Sequence, residues 1–309
     1  MSFSSSIKSD LTRLRVRGRG AKLSQLSGLT KSCGSLSIKK SGRAVLYKTE
    51  SLPVGKHIAF LATSLFGVDA AIELSRRERR ENYPLTLVTL TGEAVGALLV
   101  GTGVLDERGA FLFDAGAPEA LVCDEDTGKA FLRGAFLGSG SVNDPARGYH
   151  LEIVARTGAF ADSLLTLLAG FSVAAGRSER RGREIVYVKG AHVAAFLALI
   201  GASSGALAFE SARTEKDFRN YVNRTSNCET ANIGKTVNAS LLQIRAIERI
   251  ERVMDLAALP EPLYEAARLR LKYPDATLTE LADLAEIGKS GMNHRLARLI
   301  RIAEDLGEE

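Results

Sequence analysis

The chain has few cysteines and no long apolar run, and both shortages narrow what it can be. Three cysteines in 309 residues, Cys33, Cys123 and Cys228, stand far apart with no CxxC pair. That spacing excludes a disulfide framework and a zinc-binding arrangement, and a reducing cytosol fits it best. No charged segment followed by an apolar one opens the chain, so no signal peptide is expected. No apolar stretch reaches the roughly 18 residues a membrane helix needs. Acid is scarce in the first forty residues. Nine basic side chains (Lys8, Arg13, Arg15, Arg17, Arg19, Lys22, Lys31, Lys39, Lys40) face Asp10 alone, although the whole chain carries only +5. Such an end suits either a polyanionic partner or a solvated face that needs none.

What the chain does have is a repeat. Ala21–Ser35 (AKLSQLSGLTKSCGS) anticipates Lys129–Ser141 (KAFLRGAFLGSGS), 106 residues further on. Aligning Gly28 with Gly134 also aligns Leu26 with Leu132, Gly34 with Gly140 and Ser35 with Ser141. Small residues recur four apart in each copy, Ser24, Gly28 and Ser32 in the first and Ala130, Gly134 and Gly138 in the second. Residues four apart share a helix face, so each copy presents one smooth ridge on which a second backbone can approach closely. Glycine there costs about 1 kcal/mol of helix propensity relative to alanine, a loss that close packing has to offset.

The pair resembles the LAGLIDADG motif of homing endonucleases, read here as LSGLTKSCG over Leu26–Gly34 and LRGAFLGSG over Leu132–Gly140. The resemblance implies a pseudo-twofold α+β domain in which the two helices form the central interface. It also implies that the acidic residue before each final glycine binds a divalent metal. Those positions hold Cys33 and Ser139, neither of which supplies a hard anionic oxygen. A two-metal cleavage of phosphodiesters has therefore lost its protein ligands, and no cofactor or metal is expected.

The residues around the repeat predict two similar halves, about 15–115 and 120–212, within a domain spanning 1–216. Ile7, Leu11 and Leu14 predict a short amphipathic helix before the first motif. A hairpin around Ser41-Gly42, a helix at 55–68, a strand over Tyr83–Leu90, a helix over Gly92–Val100 and a hairpin over Leu105–Phe113 complete the first half. The second half is expected to have strands at Tyr149–Ala155, Glu184–Val188 and Ala206–Glu210 and helices at 159–170 and 191–200. The basic clusters Arg76, Arg77, Arg79, Arg80 and Arg177, Arg180, Arg181, Arg183 read as solvated loops or as the lining or rim of the concave DNA cradle that the resemblance implies.

Residues 217–236 are asparagine-rich with little apolar periodicity and read as an ordered loop or linker. Residues 237–309 predict an all-α unit. A helix over Val237–Leu259 carries Val237, Leu241, Ile244, Ile247 and Ile250 on one face, and three more helices follow at Pro262–Lys272, Thr279–Glu286 and Ser290–Asp305. A short helix, a glycine-containing turn and a basic second helix form a helix-turn-helix pattern. Placing Met292, Leu296 and Leu299 inward turns Ser290, Gly291, His294, Arg298 and Arg301 outward, with Asn293 and Arg295 on the flanks. Lys289, Arg295, Arg298 and Arg301 fall within thirteen residues that contain no acid. Arginine pairs with guanine and asparagine with adenine in bidentate fashion, and Ser290 at the helix start suits a phosphate. Lys289, Ser290, Asn293, His294, Arg295, Arg298 and Arg301 are the candidate DNA-binding residues; an ordinary helical hairpin with solvated arginines is the other reading.

The motif pair without carboxylates, the segment NRTSNCETANIGKT and the terminal SGMNHRLARL together resemble the WhiA family of bacterial regulators over essentially the whole chain. The resemblance implies a cytoplasmic, nucleoid-associated transcription factor that binds double-stranded promoter DNA. It implies links to cell division, chromosome segregation and, in sporulating relatives, sporulation septation, with a WhiB-type iron-sulfur protein as a partner in actinobacteria. The arginine run RVRGRG departs from the cysteine-containing segment of many relatives. Two other functions compete with this one: a residual metal-dependent nuclease drawing on Asp144, and a protein-protein scaffold of the division machinery.

Overall fold

A computed structural model of the chain describes residues 2–39, 42–75, 85–112 and 114–306. They fall into two compact units, Met1–Glu215 and Lys216–Glu309. No helix among them is long and apolar enough to cross a membrane.

In the first unit each half carries the same plan. Helix α1 (Phe3–Arg13) is capped by the Ser2 hydroxyl and buries Ile7 and Leu11. Then come α2 (Arg19–Cys33), β1 (Gly34–Lys39), β2 (Gly42–Thr49), α3 (Leu52–Phe66), β3 (Asp69–Ser75), β4 (Leu85–Thr91) and α4 (Val95–Gly101). The second half repeats the order with α5 (Glu125–Ser139), β5 (Gly140–Val142), β6 (His150–Ala155), α6 (Gly158–Gly170), β7 (Ala175–Arg180), β8 (Arg183–Lys189) and α7 (His192–Leu199). Both sheets are antiparallel, and their strand orders, β1-β2-β4-β3 and β5-β6-β8-β7, are the same permutation. Alternation explains the central strands: Leu151, Ile153 and Ala155 of β6 point into the core while the residues between them are only partly covered.

One continuous core serves both halves, and α2 and α5 run through its middle. A Cβ on Gly28 would collide with the Phe131 carbonyl oxygen and come 2.9 Å from the Ala135 nitrogen; one on Gly134 would collide with the Gln25 carbonyl and come 3.1 Å from the Leu29 nitrogen. The two backbones touch, as the ridges require. Polar side chains on α2 are buried with partners: Ser27 donates to the Thr102 carbonyl at 2.8 Å, and Thr30 shares a hydrogen bond with the Tyr47 hydroxyl at 2.7 Å.

Several expectations need correcting. Strands β3 and β7, which hold the same edge position in the two sheets, and the short β5 do not stand out in the sequence. Every residue of β3 except Ser75 is exposed, so no apolar alternation marks it. The expected strand at Ala206–Glu210 is helical, because Ala202, Gly205 and Phe209 pack at helical spacing; Phe209 meets the rings of Phe3 and Tyr149 at 5.5 and 6.0 Å. The hairpin over Leu105–Phe113 reduces to one bridge, Leu105 to Phe111, with the Asp106 carboxylate accepting from the Arg108 and Ala110 amides. Ser41, Tyr83, Pro84, Phe113 and the cluster Arg76, Arg77, Arg79 and Arg80 lie outside the described residues.

The loop expected over 217–236 belongs to α8, which spans Ser203–Val253. Asparagine is a poor helix former but not a breaker, and this stretch contains no proline. Of the face predicted beyond it, Ile247 and Ile250 are fully buried, whereas Val237 and Leu241 are about half exposed. The second unit continues with α9 (Glu261–Lys272), α10 (Leu278–Leu284) and α11 (Lys289–Asp305). Their core joins Ala246, Ile247 and Ile250 to Ala266, Leu281, Met292, Leu296 and Leu299.

Candidate nucleic-acid interface

Helix α10 starts with a capping box: the Thr277 hydroxyl accepts from the Glu280 amide, and the Glu280 carboxylate accepts from the Thr277 amide. The box fixes its start, and Ala285–Gly288 turn the chain, with Glu286 in the left-handed region at φ 51°. Gly288 then begins α11 and has no side chain to cap it. The first amides of α11 are therefore unsatisfied donors at the positive end of a helix dipole, the usual receptor for a phosphate.

Met292, Leu296, Leu299 and Ala303 bury the inner face of α11. Lys289, Ser290, Asn293, His294, Arg298 and Arg301 are exposed. Arg295 differs from these. It is half-buried, and its guanidinium donates to Glu265 on α9 at 2.8 Å, so it braces the helix pair before it can serve anything else. Sequence reasoning missed Arg270, which is buried on the face that carries Ala266 and donates to the carbonyls of Tyr273, Pro274 and Ala276. It pins the loop leading into α10. Its place on that apolar face was the available signal.

In the first unit, the positions where the LAGLIDADG motif carries its acids are occupied by groups that donate. The Cys33 thiol donates to the Leu29 carbonyl at 3.3 Å, and Ser139 donates to the Val154 carbonyl at 2.7 Å. Burial pushes the thiol up to about 11, against the pull of Lys8 and Arg156. Both residues line a cavity into which Lys48, Arg156 and Arg183 also reach. A cleft with three cationic side chains and no carboxylate does not fit a divalent metal ion. Asp144 does not line this cavity. It is exposed in the turn after β5, where its carboxylate accepts from the Ala146 amide at 2.9 Å.

The cluster Arg177, Arg180, Arg181, Arg183 is not a uniform basic patch. Arg177 is held by Glu184 at 2.7 and 2.8 Å and by Asp162 at 2.6 Å, while Arg181 and Gly182 form the β7–β8 turn with φ of 54° and 71°.

Two sheet-bearing halves joined through glycine-lined helices, together with a helix-turn-helix unit, define a LAGLIDADG-like protein that carries a helix-turn-helix. The WhiA LAGLIDADG-like domain matches residues 128–219, and the WhiA C-terminal HTH domain matches residues 222–303. The chain is 40% identical to the "Probable cell division protein WhiA" of Desulfitobacterium hafniense (strain Y51), over all of this chain and 98% of that one. It is also 40% identical to the protein of that name from Heliobacterium modesticaldum, over 98% of this chain and 96% of that one. The crystal structure of full-length DUF199/WhiA from Thermatoga maritima superposes with a TM-score of 0.62 at 28% identity, covering all of both chains. The chain belongs to the WhiA family.

Proposed function

We propose that this protein is a sequence-specific DNA-binding transcriptional regulator with a role in cell division, and that it does not cut DNA. The observation that carries the reading is the outer face of α11. Lys289, Ser290, Asn293, His294, Arg298 and Arg301 are exposed there without a carboxylate among them, beside an uncapped helix start. Arg298 and Asn293 read base edges, Lys289 and Ser290 take phosphates, and Arg301 extends the backbone contact along the helix. Arg295, tied to Glu265, positions the reading helix and adds its charge from the flank. The domain plan that goes with this is an endonuclease-like part over 1–216 and a DNA-binding part over 237–309, with the intervening 217–236 as a helical connector.

Support for the cellular role comes from the relatives, which are named as probable cell division proteins. Chromosome segregation and, in relatives that sporulate, sporulation septation extend that role, and a cytoplasmic protein on the nucleoid is the setting it requires. The loss of nuclease activity rests on the cationic lining around Cys33 and Ser139.

Genome-wide mapping of bound DNA, followed by titration of the full-length protein on a recovered promoter fragment, tests the reading. Arg298→Ala is expected to weaken binding roughly five- to 150-fold, the 1–3 kcal/mol of one bidentate base contact. Lys289→Ala is expected to weaken all sequences alike and to flatten the log–log salt slope by about 0.9. Wild-type affinity in Arg298→Ala, or mapping without discrete sites, would refute the assignment in favour of a scaffold. Metal-dependent nicking of supercoiled DNA that Asp144→Asn abolishes would restore the nuclease.

A further inference from the structure

Within the unit Met1–Glu215, residues of both halves line a second cavity of about 410 Å³ that opens to solvent. Leu36, Val45, Leu99, Val104 and Phe160 make its walls largely apolar, and Lys31 and Arg156 bring two positive charges to it. Lys31 donates to the carbonyls of Gly103 and Ala115 at 3.1 and 3.0 Å, which leaves one of its three ammonium protons without a partner among the described residues. Arg156 spends one guanidinium N–H on the Gly34 carbonyl. Neither cation forms an ion pair with a carboxylate among the described residues. Burial lowers the pKa of Lys31, as expected for a charge held against apolar walls without an anion.

Volume, lining and charge together restrict what fits. Ligand sites commonly measure roughly 300–1,000 Å³, are mostly apolar and carry a few placed polar groups, so this chamber is at the small end of the range. Duplex DNA is far too large for it. A neutral apolar molecule would leave both cations uncompensated, and a polyphosphate would set charge against Leu99 and Phe160. One charge on an apolar body satisfies both parts of the lining.

We propose that this cavity binds a small amphipathic anion, a carboxylate on an apolar body, with the carboxylate held by the Lys31 ammonium and Arg156 as the second positive charge. The ligand would touch α2 and β1 of the first half, the connection around Val104 and Ala115, and Arg156 and Phe160 of the second. Its binding would thereby couple the two halves. This site is independent of the reading helix, so its failure and that of the DNA assignment are told apart.

The test is calorimetric titration of the full-length protein with decanoate and 4-phenylbutyrate, each beside its matching alcohol, below the micellar range. Saturable one-to-one binding of at least one acid is expected, with its alcohol at least about tenfold weaker. Lys31→Met should weaken that acid by a similar factor, and Ala115→Phe, which fills the chamber while keeping both charged side chains and the main-chain carbonyl that Lys31 bonds, should abolish binding. Thermal unfolding confirms that both variants fold, and the comparison of acid with alcohol on the unaltered protein needs no variant. Failure of both acids to saturate, equal affinity for acid and alcohol, or undiminished binding by folded Ala115→Phe would overturn the proposal.

Discussion

The α2–α5 pair and the α10–α11 pair are both helix pairs with glycine, serine and basic residues in their sequences, yet they use these residues in opposite ways. In α2 and α5 the glycines bring two backbones into contact and the polar side chains turn inward to partners. Lys31 of α2 reaches carbonyls 72 and 84 residues away. In α11 the apolar stripe faces in, glycine meets almost nothing, and the cations other than Arg295 face out. The lesson is that charge and glycine content do not distinguish a buried junction from a binding face; the location of their partners does.

The sharpest way to break the comparison is to give the buried glycine a methyl group. Gly134→Ala would drive a Cβ into the Gln25 carbonyl and within 3.1 Å of the Leu29 nitrogen. Backbone cannot yield as a flexible side chain can, so α2 and α5 must separate and their packed neighbours must shift. The expected cost is about 3 kcal/mol or more, at or beyond the upper end of the usual overpacking range, read as a lowered midpoint in urea. A loss below about 1 kcal/mol would show that the helices do not pack backbone to backbone.

A second test concerns the polar groups that α2 carries inside. The Gln25 amide meets the buried His57 ring at 3.1 Å, and burial, with Arg133 adding its charge, pushes the His57 pKa down to about 4. The unfolded ring has its ordinary value near 6.5, so the unfolded state takes up the proton first as pH falls. Stability is therefore fully present above about pH 6.5, declines as pH falls and levels off below about pH 4. Linkage gives about 2 kcal/mol lost between pH 7 and pH 5 from this group alone. His57→Gln should remove that part of the slope, as measured by denaturant unfolding at the two pH values. An unchanged slope would mean that the ring is protonated in place.

The sequence makes the centre of the fold legible and leaves its periphery obscure, for physical reasons. Gly28, Gly134 and Gly138 could be read because helical spacing is a local pattern and the chain carries it twice. Met292, Leu296 and Leu299 could be read for the same reason. Strands β3 and β7 could not, since an edge strand with few covered residues leaves no alternation to find. The ties of Arg156 to Gly34 and of Arg295 to Glu265 join residues 122 and 30 positions apart. Only the folded chain brings such groups together, so Arg295 counts as a reader in the sequence and as a brace in the structure. The Lys31–Arg156 chamber is built from segments spread over residues 30–160, and no local motif announces it.

The smallest effect separates the two helix pairs most directly, because it repeats the glycine-to-alanine change and reverses its sign. Gly291 lies in the first turn of α11, and a Cβ placed there would meet only the tip of Ile287 at 3.7 Å, an ordinary contact. Its backbone is helical without a positive φ, so alanine is not strained there. Alanine loses less conformational entropy than glycine on entering a helix, and the new methyl group displaces nothing. Gly291→Ala is expected to stabilise the protein by about 0.5–1 kcal/mol, seen as a raised urea midpoint with an unchanged slope. The amide of residue 291 remains available, so phosphate contacts at the helix start should persist. A destabilised Gly291→Ala would mean that the start of α11 is held against a neighbour, and the contrast between a buried junction and an open reading face would fail at this position.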